Sequence, residues 1–276
     1  MPDQQPAGPT EIGLHYDQRS PIEDVMREGQ IHMWYWYDRD DDATLGQALD
    51  RITRKVTDTL GLRPGERLLD FGCGTGATAV HLAATAGVQV TGVTISAVEA
   101  HRATQRAAAA GVDHAVGFVQ ADYHALELPD GGFDAVLALE SLQNSTDLPR
   151  ALAECHRMLR PGGRLTLSDL CLGVPGDPAR LAAFMSALKL DRLPSLAEWL
   201  ELVRDAGFQV EEYTECGPRV YGMKNRFLRA AMDRRAELAA QFGESQLAEF
   251  SRRNLGFFVP RKEQIGYAIV SARKPH

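Results

Sequence analysis

The chain has 276 residues, 44% of them hydrophobic and 24% charged, with 25 Gly and 14 Pro; these globular values exclude a disordered chain or a collagen-like fibre. Its 30 Lys plus Arg against 37 Asp plus Glu leave a formal charge of -7, so no general positive field draws in a phosphate backbone or an anionic lipid surface, and neither nucleic acid nor membrane is an expected partner. A single core is near its upper size at this length, which predicts one domain enlarged by an insertion.

Residues 1–13 hold Pro2, Pro6, Gly8, Pro9 and Gly13 and predict a disordered tail. Apolar residues then recur at helical spacing from Leu45 to Leu60, until Gly61 and Pro64 end the run. Residues 14–60 are expected to form an N-terminal helical lid. A regular alternation follows: strand Arg67 to Phe71, helix Thr78 to Thr85, strand Val88 to Val93, helix Ala97 to Ala110, strand Ala115 to Gln120, strand Phe133 to Leu139, helix Leu148 to Leu159, strand Arg164 to Leu170. Short apolar strands separated by such helices imply parallel βαβ units and a doubly wound α/β sheet, which assigns the core to residues 61–170.

Beyond Leu170 the rhythm changes. Residues 171–276 predict helices at Pro178 to Leu190 and Ser195 to Ala206, a strand at Phe208 to Thr214, a long helical region from Val220 to about Arg253, and a last strand at Ile265 to Ala272. The helical insertion at about 217–260 is expected to cap a site at the strand ends. The four cysteines form no CxxC pair, and Met1–Thr10 lacks the basic start and apolar run of a secretory leader, so a reducing cytoplasmic setting is expected.

The richest segment is Leu68-Leu69-Asp70-Phe71-Gly72-Cys73-Gly74-Thr75-Gly76-Ala77. An apolar strand runs into alternating glycines and then a helix, which lets backbone approach a ligand at a helix N-terminus. The pattern also satisfies a dinucleotide fingerprint, but a nicotinamide site wants an acid at the end of the second strand, and that strand ends Gly92-Val93-Thr94-Ile95-Ser96. The acid present, Asp70, precedes the glycines, where it suits a ligand ammonium better than a pyrophosphate.

These runs, with Gln120-Ala121-Asp122-Tyr123, Leu137-Ala138-Leu139-Glu140-Ser141-Leu142 and Leu159-Arg160-Pro161-Gly162-Gly163, resemble the class I S-adenosylmethionine-dependent methyltransferases. Within that class the chain is most similar to the bacterial small-molecule branch of sugar and polyketide O-methyltransferases, sterol and terpenoid C-methyltransferases and cyclopropane fatty acid synthases. The resemblance implies a seven-stranded Rossmann-like sheet with a reversed last hairpin, and S-adenosylmethionine as cofactor with S-adenosylhomocysteine as product. It implies that Asp70, Gly72, Cys73 and Gly74 bind the methionine portion and that Thr94, Ile95 and Ser96 lie along the ribose. Asp122 would accept the adenine amino group, Tyr123 would flank the ring, and Leu139 would underlie the sulfonium. Glu99 has two readings, a ribose contact and the closing member of a capping box begun by Ser96.

Many O-methyltransferases of this branch carry a His two residues beyond Glu-Ser-Leu, as general base; here Asn144 stands there, and an amide takes up no proton at neutral pH. Tyr16, which resembles the family's lid tyrosine, Glu140 and His32 are the alternative bases. Trp34, Trp36 and Tyr37 are expected to line an apolar pocket. With Glu140 they match what carbon methylation needs, a cation stabilised by ring faces and a carboxylate. The expectation leans to C-methylation of a prenyl or terpenoid alkene in secondary metabolism, with cyclisation as a coupled step. The alternatives are O- or N-methylation of a polyketide, sugar or indole, a cyclase using the cofactor as scaffold, and a non-catalytic regulator. The partner is a small hydrophobic acceptor, no metal is required, and a homo-oligomer is compatible with the sequence. The acidic run Asp38 to Asp42 reads as a magnesium site or a solvated loop, and the basic run Lys224, Arg226, Arg229 and Arg234 as a receptor for an anionic substrate end or a solvated face.

Overall fold

A computed structural model describes residues 9–276. Strands β1 (Arg67–Phe71), β2 (Gln89–Thr94), β3 (Val116–Gln120), β4 (Phe133–Leu139), β5 (Leu159–Leu172), β6 (Gln209–Glu215) and β7 (Ile265–Arg273) form one 7-stranded sheet in the order β3-β2-β1-β4-β5-β7-β6. The first five run parallel and β7 lies antiparallel to both its neighbours, the reversed ending that the sequence predicts. Because the chain leaves β3 at one edge and returns beside β1 as β4, the strand order reverses between β1 and β4. Open α/β sheets bind ligands at the carboxyl ends of such a pair.

Helix α1 is Pro9–Met26, α2 Leu45–Thr57, α3 Ala77–Ala86, α4 Ala97–Ala109, α5 Leu148–Met158, α6 Pro178–Leu188 and α7 Leu196–Asp205. Their starts are legible as caps: Thr44 and Ser195 close capping boxes with Gln47 and Glu198, and Asp147 and Asp177 accept amides at the starts of α5 and α6. The period-two alternation of β5 divides the interior. Leu165, Leu167 and Cys171 face a core with Trp199 and Val203 of α7, while Leu170 faces a second core with Tyr267, Ile269 and the N-terminal and inserted segments.

One expectation is corrected. Helix α1 reaches back to Pro9, so residues 9–13 of the expected tail are helical, Pro9 standing at the first position where its missing N–H costs nothing; residues 1–8 lie outside the described residues. The helical region expected from Val220 to about Arg253 is helical, and the structure adds that it divides into three short helices, α8 (Lys224–Asp233), α9 (Arg235–Phe242) and α10 (Glu244–Asn254). The last break falls at Gly243, whose φ of 83° a helix cannot contain.

Polar clamps hold α1 across the sheet's carboxyl edge. Asp24 pairs with Arg102 at 3.0 Å and Arg106 at 2.9 Å, and Asp17 accepts from Ser96 Oγ and from Val98 N at the N-terminus of α4. On the other side Arg234 donates to the Val25 and Met26 carbonyls at the C-terminus of α1. Three members of the basic run of the insertion are therefore engaged within the protein, since Lys224 Nζ donates to the Phe258 and Pro260 carbonyls and Arg226 lies 5.2 Å over the Trp36 ring, while Arg229 is exposed. Among the described residues no helix is long and apolar enough to cross a membrane.

Candidate active site

A cavity of about 130 Å³, partly open to solvent, lies at the carboxyl ends of the central strands, and a pocket of about 40 Å³ adjoins it; Ile31, Gly72, Gly74 and Leu139 line both. The glycine loop after β1 forms the floor. Gly72 has φ 92°, and a Cβ there would stand 2.3 Å from Ser141 Cβ. Position 72 thus excludes a side chain twice over, by conformation and by the close approach of the turn after β4. Gly72→Ala is expected to destabilise the fold by roughly 1–3 kcal/mol or more, read as a lowered melting temperature; an unchanged one would refute this packing argument.

Asp70 and Cys73 line the smaller pocket. Asp70 is 2% exposed, its Oδ2 has no hydrogen-bond partner, and burial pushes its carboxyl up to about 7. An orphaned buried carboxylate oxygen fits a ligand ammonium, since a bound cation would restore the missing partner. The Cys73 thiol is raised well above its ordinary range, first by burial and then by Asp70 and Glu99, so it stays protonated and acts as a small filler.

Thr94, Ile95 and Glu99 line the larger cavity. The two readings of Glu99 separate cleanly. Ser96 Oγ accepts the Glu99 N–H at 3.0 Å, so the cap exists, but the Glu99 carboxylate faces the cavity and accepts from Thr94 Oγ1 at 2.7 Å instead of closing the box. The Ser96 side chain is spent on that cap and on Asp17, and is buried away from the cavity. At the far end Tyr123 stacks on Phe71 with ring centroids 4.6 Å apart and donates to the Ser141 carbonyl at 3.0 Å. Asp122 Oδ1 is held by the His124 amide at 2.9 Å and lies 2.7 Å from His124 Nδ1, while His124 Nε2 lies 2.7 Å from Ser145 Oγ. Held on Oδ1, Asp122 can offer Oδ2 to a ligand amine.

Glu140 ends β4 with φ 53°. Its Oε1 accepts from Met33 N at 2.7 Å and from Tyr267 Oη at 2.8 Å, which leaves Oε2 for a ligand in the cavity that the residue lines. Burial outweighs these bonds and pushes its carboxyl up to about 7. Tyr16 donates to Asn144 Oδ1 at 2.8 Å, and Asn144 Nδ2 donates to the Leu188 carbonyl at 2.9 Å. Asn144 accordingly ties α1 to the end of α6.

The expected aromatic pocket is corrected. Residues 30–37 form an irregular segment, bent at His32, whose N–H donates to the Gln30 carbonyl at 2.9 Å, and again at Tyr37. Ile31 and Met33 face the cavity; Trp34 stacks on Phe227 at 4.1 Å and Trp36 donates to the Ala43 carbonyl at 3.0 Å, both fully buried in the core. Tyr37 is 54% exposed beside Arg51. His32 borders the smaller pocket and not the main cavity: its Nδ1 lies 2.7 Å from the Met33 carbonyl and its Nε2 2.9 Å from Thr53 Oγ1, and burial lowers it to about 4. With both nitrogens engaged it has no lone pair for an acceptor proton. In the acidic run Asp41 accepts from the Tyr37 and Ala43 amides and from Arg51, so this carboxylate builds a turn. Arg27, Gln143 and His124 also line the cavity and Tyr267 bonds to Glu140; of these only His124 carried a signal, its spacing two residues beyond Asp122 after a strand.

Residues 69–167 match the family model of a methyltransferase domain. The chain is 36% identical to the 27-O-demethylrifamycin SV methyltransferase of Amycolatopsis mediterranei, over 97% of this chain and 98% of that one. It is 33% identical to the O-methyltransferase resE of Aspergillus sclerotiorum, over 96% and 97%. Among solved structures it is similar to the [4+2]-cyclase SpnF, with a TM-score of 0.85 and 30% identity over 99% of this chain and 98% of that one. Fold and relatives together define an S-adenosylmethionine-dependent transferase. The chain belongs to the class I S-adenosylmethionine-dependent methyltransferases, in the natural-product branch, and S-adenosylmethionine is its cofactor.

Proposed function

We propose that this enzyme methylates a hydroxyl group of a polyketide-type metabolite, with Glu140 as general base. The observation that carries the reading is Glu140 itself: a carboxyl raised to about 7, with one oxygen anchored and the other free to meet a ligand in the main cavity. A base poised near the working pH takes up a hydroxyl proton most effectively. Carbon methylation drew its support from Trp34, Trp36 and Tyr37, and these rings lie off the cavity, so that support falls away. The names of the two relatives favour oxygen as acceptor atom.

On this reading Asp70 and the loop from Gly72 to Gly74 hold the methionine end of the cofactor, Thr94, Ile95 and Glu99 border the ribose, and Asp122 accepts the adenine amino group while Tyr123 flanks the ring. Leu139 underlies the sulfonium. The bound cofactor supplies an electrophilic methyl group. Glu140 takes the acceptor proton as the oxygen becomes nucleophilic, and Tyr16, latched by Asn144, closes α1 over the reacting groups and excludes water. A second reading, cyclisation with the cofactor as scaffold, is favoured by the likeness to SpnF. Incubation with methyl-labelled cofactor and hydroxylated polyketides separates the two. A product with one labelled O-methyl group is expected; label on carbon, or a product of unchanged mass, would overturn the proposal.

A further inference from the structure

We propose that Tyr267, backed by Ser168, is a positioning residue of this reaction, which together with the Met33 amide fixes Glu140 so that one carboxylate oxygen faces the acceptor. The inference rests on Glu140 acting as base and adds what makes it one. A left-handed backbone is unfavourable for a residue with a side chain and persists only where the surroundings impose it. The Glu140 N–H donates to the Ser168 carbonyl at 2.7 Å, which pins the backbone. The Ser168 hydroxyl lies 3.1 Å from Tyr267 Oη, and Tyr267 Oη lies 2.8 Å from Glu140 Oε1. A single phenol proton serves one acceptor, so Tyr267 donates to the carboxylate and Ser168 donates to Tyr267. Both side chains stand on the cavity side of the sheet, Tyr267 opposite Leu170 in the β5–β7 ladder.

The second anchor comes from a different part of the chain. Met33 belongs to the irregular segment whose His32 carbonyl accepts from Arg27 Nη1 at 2.6 Å, so the docking of this segment and the orientation of Glu140 are one arrangement. Tyr267 is fully buried and its phenol is held well above its ordinary range by burial and by Glu140, so it remains a donor throughout the working pH range. The charged groups facing Glu140 are Arg27, which favours its ionised form, and Glu23 and Asp169, which oppose it; the Cys216 thiol lies on the same side.

Tyr267→Phe keeps the ring and removes the donor. The variant is expected to lose roughly ten- to a hundredfold in kcat with KM for the cofactor within about twofold of the wild type. The acid limb of its kcat/KM profile should move up by about one pH unit, because a bond that favoured the carboxylate is gone. A phenylalanine of purely structural consequence would lower the melting temperature and leave that limb in place, and this result overturns the proposal. Should Tyr267→Phe fail to fold, Ser168→Ala is expected to move the limb the same way by a smaller amount, and an unmoved limb overturns the proposal equally. Glu140→Gln at the wild-type rate would overturn the base reading and this inference with it; an inactive Glu140→Gln beside an unaltered Tyr267→Phe overturns the positioning role alone.

Discussion

Glu140→Gln is expected to lower kcat by roughly a hundred- to ten-thousandfold while cofactor binding, measured by calorimetry, stays within about twofold of the wild type. The substitution separates two roles that an alanine would merge. A glutamine carbonyl can still accept from the Met33 amide and from Tyr267, so the anchoring bonds survive, whereas an amide cannot take a proton from the acceptor. The wild-type rate should rise with pH through about 7, where Glu140 ionises, and flatten above it. The glutamine variant should lack that limb. Wild-type turnover in Glu140→Gln would mean that the carboxylate only shapes the pocket, and that the proton leaves by another route.

Asp70→Asn should weaken cofactor binding by roughly ten- to a hundredfold, since a charge-assisted bond to an ammonium is worth about 1.5–3 kcal/mol. The same substitution should alter the pH dependence of stability in the cofactor-free protein. The Asp70 carboxyl is raised from 3.8 to about 7, so the folded protein keeps a proton that the unfolded chain has already released. The stability from that retained proton is fully present below the unfolded value and is lost as pH rises through about 7. Asparagine carries no such proton. Melting temperatures of the two proteins should therefore diverge between pH 4 and pH 7, with the wild type falling relative to the variant. Glu140 is present in both and cancels from the difference. Parallel curves would mean that Asp70 keeps its charge without a ligand, and the orphaned oxygen would need another explanation.

Legibility of the site's position in the sequence extended to residues that stand at their own strand ends. Asp70, Gly72, Gly74, Thr94, Asp122, Tyr123 and Leu139 each stand within a few residues of a strand terminus, and all of them border the cavity or its adjoining pocket. It failed where an irregular segment had to be placed by what it packs against. The aromatic run 34–37 carries the right chemistry for a pocket, yet Trp34 and Trp36 pack toward Phe227 and Ala43, and no local pattern predicts which side of the segment will meet the cavity. Glu99 shows the reverse case, where capping box and ligand contact were equally legible, and the bond to Thr94 shows only that the box is left open.

Local chemistry by itself determined the parallel sheet, the caps that start its helices, the glycine loop and the carboxylate before it. Each follows from residues close together in the chain, through backbone conformation, hydrophobic period or capping. The tertiary structure alone decided the surroundings of Glu140. Its partners lie 107 and 127 residues away, at Met33 and Tyr267, and Tyr16 meets Asn144 across 128. A tyrosine within an apolar strand reads only as core until the fold sets its hydroxyl against a buried carboxylate. The buried setting of the Glu140 carboxyl is thus a property of contacts that closing the sheet creates, and no stretch of sequence contains them.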